Sequence, residues 1–198
     1  SDENAVASVV ITSPVTMLEI GEKVSLTAVV NNINGLSLTG RTVEWFSENG
    51  SIVTVDATGE LTAVSNGIAG VHAKSEGVKS NSIDFAIGSD RAGTFVPAGG
   101  YNAEGMATLK LDGGKLILSL SDNFKASFAL GTYVYLSNST SGSETFSKGV
   151  EIAQIFNNGA RTFDISSINP NIGLFDYRYI VILCKPARVT FGFADLNQ

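Results

Sequence analysis

Residues Tyr179–Cys184, YIVILC, admit few environments. In an extended chain successive side chains point to opposite sides, so Ile180, Ile182 and Cys184 share one face and Tyr179, Val181 and Leu183 share the other. Both faces are apolar, and such a strand has to be covered twice, by a core on one side and by something else on the other. Pro186 bends the chain just afterwards, and a second short run follows through Phe191, Gly192 and Ala194. Nowhere do apolar residues recur at the i, i+3, i+4, i+7 spacing of a long amphipathic helix. The 21 glycines, set among many Val, Ile, Thr and Ser residues, indicate strands joined by turns. The expected fold class is all-β, two antiparallel β-sandwich domains in tandem. At 198 residues and 43% apolar content the chain has material for two cores.

The first domain is expected over residues 1–88. Residues 6–12 read as a strand stopped at Pro14, and residues 23–31 as one strand with Val24, Leu26, Ala28 and Val30 on a single buried face. Trp45, the only tryptophan, is by size the natural centre of a two-sheet core. Further strands are expected at 52–55, 61–64, 71–73 and 83–87, with a turn at Asp56-Ala57-Thr58-Gly59. About seven short strands with turn signals every 8–12 residues or so make an immunoglobulin-like sandwich.

Residues 88–93, GSDRAG, carry two glycines and alternating charge and read as a short linker into a second domain over residues 89–198. There, strands at 106–111 and 115–120 flank Asp112-Gly113-Gly114, strong hairpin chemistry. Strands are also expected at 124–128, 132–137, 150–156, 162–165, 179–184 and 188–193, with a polar loop over 138–148. The expected arrangement is an antiparallel sandwich or flattened barrel.

Both halves resemble known families. Gly21-Glu22 with Val24 and Leu26, Trp45, Ser51-Ile52-Val53 with Val55-Asp56, Gly59-Glu60-Leu61-Thr62-Ala63 and Gly70-Val71-x-Ala73 occur in the order of a bacterial Ig-like group two domain, over nearly all of residues 8–88. That resemblance implies a spacer or adhesion module of an extracytoplasmic protein, as in invasin- and intimin-like surface proteins. The second half is similar to the DM-thirteen family: Gly93-x-Phe95, Gly105, Leu116-x-Leu118, Phe124, Tyr133-Val134-Tyr135-Leu136-Ser137, Phe163-x-Ile165, then Cys184 and Val189-x-Phe191-Gly192-x-Ala194-x-Leu196. This second resemblance implies an electron-transfer role for Cys184, as a bare thiol or as ligand to a prosthetic group such as haem. Two positions depart from the family: Leu130-Gly131-Thr132 stands where Pro-Asp is usual, and Ala187 where a large aromatic is usual.

Charge narrows the partners. Residues 1–89 carry ten Asp/Glu against four Lys/Arg, and residues 90–198 carry nine of each, which accounts for the net charge of −6. An acidic half followed by a neutral one offers no concentrated positive patch for nucleic acid and, for the same reason, disfavours attraction to an anionic membrane. The chain opens on Ser1-Asp2-Glu3-Asn4 with no initiator Met. The expectation is an exported protein whose targeting segment has been removed: secreted, periplasmic, or a cell-surface lipoprotein touching a membrane only through a lost lipid anchor. A lone cysteine makes no internal disulfide, though in an exported protein it can form one between two chains.

Few residues offer chemistry. Alternation about Val71 and Ala73 places His72, the only histidine, outward, as an ordinary exposed side chain with no second ligand or nucleophile at readable spacing. Asp112, Asp122, Asp164, Asp176 and Asp195 are scattered and mostly flank turns. Asn138-Ser139-Thr140 fits the glycosylation acceptor pattern, and Tyr133 and Tyr135 are either a stacking platform or half-buried sandwich residues. Cys184 remains the one candidate site residue. Within an apolar strand it reads as a small buried hydrophobe, whereas Lys185 and Arg188 nearby would favour a reactive thiolate or a ligand. For haem the second axial ligand would have to come from a partner, because His72 lies in the first half and Met106 is the only methionine in the second. Two functions follow: an Ig-like spacer presenting a redox module, or a non-catalytic adhesion or interaction module with a protein or cell-surface glycan as partner and Cys184 as packing.

Overall fold

Short runs of alternating polarity, cut by glycine turns, generate nearly all regular structure in the computed structural model, which describes residues 3–197. The chain divides between Gly88 and Ser89 into two compact units.

The first unit contains β1 (Ser8–Thr12), β2 (Met17–Leu18), β3 (Lys23–Ser25), β4 (Thr27–Asn31), β5 (Glu44–Ser47), β6 (Val53–Val55), β7 (Glu60–Ala63), β8 (Gly67–Ser75), β9 (Val78–Lys79) and β10 (Ile83–Ile87). One sheet runs β2-β10-β8-β5 with β9 paired to β8, another runs β3-β7-β6, and β1 pairs with β4. Val24, Leu26, Val53 and Leu61 meet Ala69, Val71, Phe85 and Ile87 in a buried core between the sheets. The run expected as a single strand over 23–31 is two strands, because the chain changes partner at Leu26. Before it, β3 pairs with β7; after it, β4 pairs with β1, and the Leu26 amide donates to the Gly59 carbonyl. The buried face survives the switch, since Val24, Leu26 and Val30 are all buried. Trp45 is not the centre of the core. It sits on the edge strand β5, half-buried, and packs against the cluster from the side, while Phe85 fills the middle.

The second unit contains β11 (Asp90–Pro97), β12 (Ala103–Glu104), β13 (Met106–Asp112), β14 (Lys115–Leu120), β15 (Lys125–Ala126), β16 (Thr132–Ser137), α1 (Gly142–Lys148), β17 (Val150–Gln154), β18 (Arg161–Asp164), α2 (Ile165–Ile168), β19 (Tyr179–Cys184) and β20 (Val189–Asp195). Eight strands pair in the order β17-β16-β19-β20-β11-β13-β14-β18, and β12 pairs with β15. The β13–β14 hairpin closes at Asp112↔Lys115 across Gly113 and Gly114, whose φ values of 55° and 80° suit a tight two-residue turn. Two expectations are corrected here. Residues 90–93 are not linker: they open β11, pairing with Lys110 to Ala107 on β13. The polar stretch 138–148 is not all loop, because residues 142–148 form α1, with Glu144 in its first turn and Lys148 in its last. Seven residues with a single large apolar side chain, Phe146, are too few to display helical periodicity.

Strand β19 is covered on both faces. Ile180, Ile182 and Cys184 belong to the main core with Leu109, Leu118, Phe124 and Phe191. Val181 and Leu183 form a second, smaller cluster with Tyr135, flanked by Tyr133, Phe146, Tyr179 and Phe193.

Gly59 tests the first unit's packing. Its φ is +86°, and a Cβ there would lie 2.9 Å from the Trp45 ring and 3.1 Å from the Leu26 carbonyl. Gly59→Val should destabilise the first unit by about 2 kcal/mol or more, combining left-handed strain with overpacking. The measurement is urea denaturation followed by Trp45 fluorescence; an unchanged midpoint would show that the ring does not pin this turn.

Candidate functional site

Cys184 ends β19 opposite Thr132 and Val189, 7% exposed and within the main core cluster. The two cations that could have activated it have other partners. The Lys185 ammonium lies on the opposite side of the sheet, 2.6 Å from Glu151 Oε2 and 4.8 Å from the centre of the Tyr133 ring. The Arg188 guanidinium stacks 4.4 Å over Phe146, which packs against the opposite-face cluster. Among the described residues no three His, Cys, Asp or Glu side chains gather into a set able to hold a metal ion.

The groups that do converge lie on the outer face of β16, β17 and β19. The Tyr135 hydroxyl is drawn into the small cluster and donates to Glu151 Oε2 at 2.7 Å, the same oxygen that Lys185 approaches. Burial first, then the adjacent carboxylate, pushes the Tyr135 phenol far up. Partial burial raises the Glu151 carboxyl, but the bonds from Lys185 and Tyr135 outweigh it and hold the group below the usual carboxylate range. Tyr133 donates to Gln154 and lies under Lys185, so it presents no bare ring for stacking. This is a closed network: its donors already have acceptors.

Beside α1 lies a cleft of about 290 Å³ lined by Ser137, Asn138, Ser139, Glu144, Lys148 and Tyr177. Several of its polar groups are paired. Ser139 donates to Glu144 at 2.7 Å, and the Asn138 amide bonds on both sides, donating to the Asp176 carbonyl and accepting from the Arg178 amide, each at 2.9 Å. The nitrogen that a glycan would take at Asn138 therefore holds two segments of the unit together. The residue that sequence reasoning missed is Arg91, read as linker. It is buried on β11, donates to the carbonyls of Leu174 and Tyr177 at 2.8 and 2.7 Å, bonds Asn197 and lies over the Phe175 ring. No local pattern announces it, because its partners are carbonyls more than 80 residues away.

In the first unit His72 is not an ordinary exposed side chain. Its side chain is 14% exposed, its ring stacks on Phe46 at 5.2 Å, and its Nδ1 faces Glu48 Oε1 at 3.5 Å, too long for a good hydrogen bond. Val71 and Ala73 point inward and His72 outward, yet Phe46 of the neighbouring strand and Glu48 just past that strand's end lie against it.

Residues 5–83 match the bacterial Ig-like domain (group 2) family. The Ig-like domain thus comprises β1 to the start of β10, close to the span expected from its motifs. The likeness of residues 89–198 to the DM-thirteen family finds no support in these comparisons. No curated protein matches the chain. Among solved structures, domains 4 and 5 of the S-layer protein SbsC align at 15% identity over 79% of this chain and 84% of that one, with a TM-score of 0.36. SbsC domains 5–6 align at 15% identity over 97% and 96%, with a TM-score of 0.37. The adhesin InvE of Yersinia pseudotuberculosis aligns at 13% identity over 82% of this chain and 52% of its own, with a TM-score of 0.34.

Two outcomes follow from the geometry beyond the Ig-like domain. Cys184 should react with a maleimide only after unfolding, because a covered thiol meets reagent only through opening of the structure; rapid stoichiometric labelling of native protein would show an open path to the sulfur. The network on Glu151 should shape stability against pH at both ends. A carboxylate lowered in the folded state contributes stability above about pH 4 that is lost as pH falls, and a phenol raised in the folded state contributes stability up to about pH 10 that is lost above it. In thermal melts Glu151→Gln should flatten the acid limb and Tyr135→Phe the alkaline limb; identical profiles for wild type and variants would place the network outside the stability balance.

Proposed function

We propose that this chain is a non-catalytic module of an extracytoplasmic, cell-surface protein. In this reading the Ig-like domain is a spacer or adhesive element, and the second β unit is an interaction module whose partner is a protein or glycan of the cell surface. The observation that carries it is the match of residues 5–83 to the bacterial Ig-like family. Four ion pairs of the second unit support the same view, since each occupies its charges within the unit: Lys115 with Asp164, Lys125 with Glu104, Arg178 with Asp195, Lys185 with Glu151.

For Cys184 we infer a packing role. Electron transfer, implied by the DM-thirteen resemblance, needs a sulfur that a partner or prosthetic group can reach, and the favoured reading is a thiol covered by its own core.

Protease treatment of intact host cells tests the location. The protein should be cleaved without lysis, while a cytoplasmic marker in the same cells survives. Protection until lysis would remove the surface assignment.

A further inference from the structure

Three connections of the second unit meet at one end, away from the start of β11. Pro97, where β11 finishes, pairs with Gly192 near the start of β20, and the turn 185–188 joins β19 to β20 just there. The Lys185 amide donates to the Gly131 carbonyl at 2.8 Å, which ties that turn to residues 127–131. The Ile155 amide donates to the Thr132 carbonyl at 2.9 Å, which brings in residues 155–160. Out of these loops stand Leu130, 93% exposed, and Phe156, 73% exposed, the two most exposed large apolar side chains among the described residues, with Phe128 beside them.

Neither Leu130 nor Phe156 belongs to a core cluster, and the backbone beneath them is held. The Ala126 amide donates to Asn158 at 3.1 Å, and the Gly159 amide to the Phe124 carbonyl at 2.9 Å. Arg161 bonds the carbonyls of Asn157 and Asn158. A braced, exposed apolar tip has little conformational entropy left to lose on binding.

Charge selects the occupant. The segments 127–131, 155–161 and 185–188 contain Arg161, Lys185 and Arg188 and no Asp or Glu. Lys185 is neutralised by Glu151, but among the described residues Arg161 bonds neutral Asn oxygens and Arg188 lies over the Phe146 ring. Exposed Leu and Phe side chains at an end whose two arginines have only neutral partners match an interface with apolar chains below and negative headgroups above. We propose that this end of the second unit docks on an anionic lipid bilayer, inserting Leu130 and Phe156 with Arg161 and Arg188 at headgroup level. The chain's net charge of −6 hides this, because the excess acid lies in residues 1–89. The inference stands apart from the surface-module reading and does not depend on it.

The test is co-sedimentation of the full chain with vesicles of phosphatidylcholine alone and of phosphatidylcholine mixed with phosphatidylglycerol. Binding is expected to the mixed vesicles, weaker to phosphatidylcholine, and reduced by salt. Leu130→Ser and Phe156→Ser should each weaken it by about tenfold, from the apolar area lost. Ile168→Ser, an exposed apolar residue outside the three loops, should leave it unchanged. Failure to sediment with either vesicle overturns the proposal, as does binding indifferent to both tip substitutions. Concentration-dependent self-association that the tip substitutions abolish, without vesicle binding, also overturns it and assigns the tip to contact between copies of the chain.

Discussion

Much of the second unit follows from a strand that cannot be left wet on either side. Tyr179–Cys184 presents Ile180, Ile182 and Cys184 one way and Val181 and Leu183 the other, and five of its six residues are buried. Fully covering a Val, Leu or Ile side chain is worth about 1.5–3 kcal/mol, so exposing either face would forfeit several such contributions. The sheet therefore has β16 and β20 on its flanks and needs a cover on its outer face. Tyr133, Tyr135, Tyr179 and Phe193 supply part of that cover, and Phe146 of α1 supplies the rest.

That constraint also places the chemistry. Tyr135 is drawn into the outer cluster, its hydroxyl must then find an acceptor, and Glu151 on β17 provides one. Lys185 follows, balancing the carboxylate and covering Tyr133. What looks in isolation like a constellation of tyrosine, carboxylate and ammonium is the polar edge of a packed layer. The thiol of Cys184 lies on the other face of the same strand, covered by the main core.

The Ig-like domain solves a different problem. A partner switch at Leu26 passes the chain from the β3-β7-β6 sheet to the β1-β4 pair, and the Asp56–Gly59 turn supports the switch by bringing the Gly59 carbonyl to the Leu26 amide. Asp56 shapes that turn through bonds from Thr58 and Glu60, while Gly59 alone fits beneath the Trp45 ring. Trp45 is thus a lid over a turn at the sheet edge rather than the hub of the core.

Local pattern was enough for several features. Period-two alternation marked the buried faces of β3, β4 and β8, the Asp-Gly-Gly step marked the β13–β14 hairpin, and the double apolar face of β19 was plain in six letters. The Ig-like motifs were equally legible, because turn residues and inward positions recur at fixed offsets. What the sequence could not carry was any property set by a distant neighbour. The coverage of His72 depends on Phe46 one strand away, the burial of Arg91 on carbonyls at Leu174 and Tyr177, and the prominence of Leu130 and Phe156 on the meeting of three loops. By itself the sequence determined strand faces, turn chemistry and the all-β class, since these depend on a residue and its chain neighbours. Only the tertiary structure decided which polar groups are satisfied, which cation lacks a counter-charge and whether the one thiol is reachable, since each depends on what packing brings within a few ångströms.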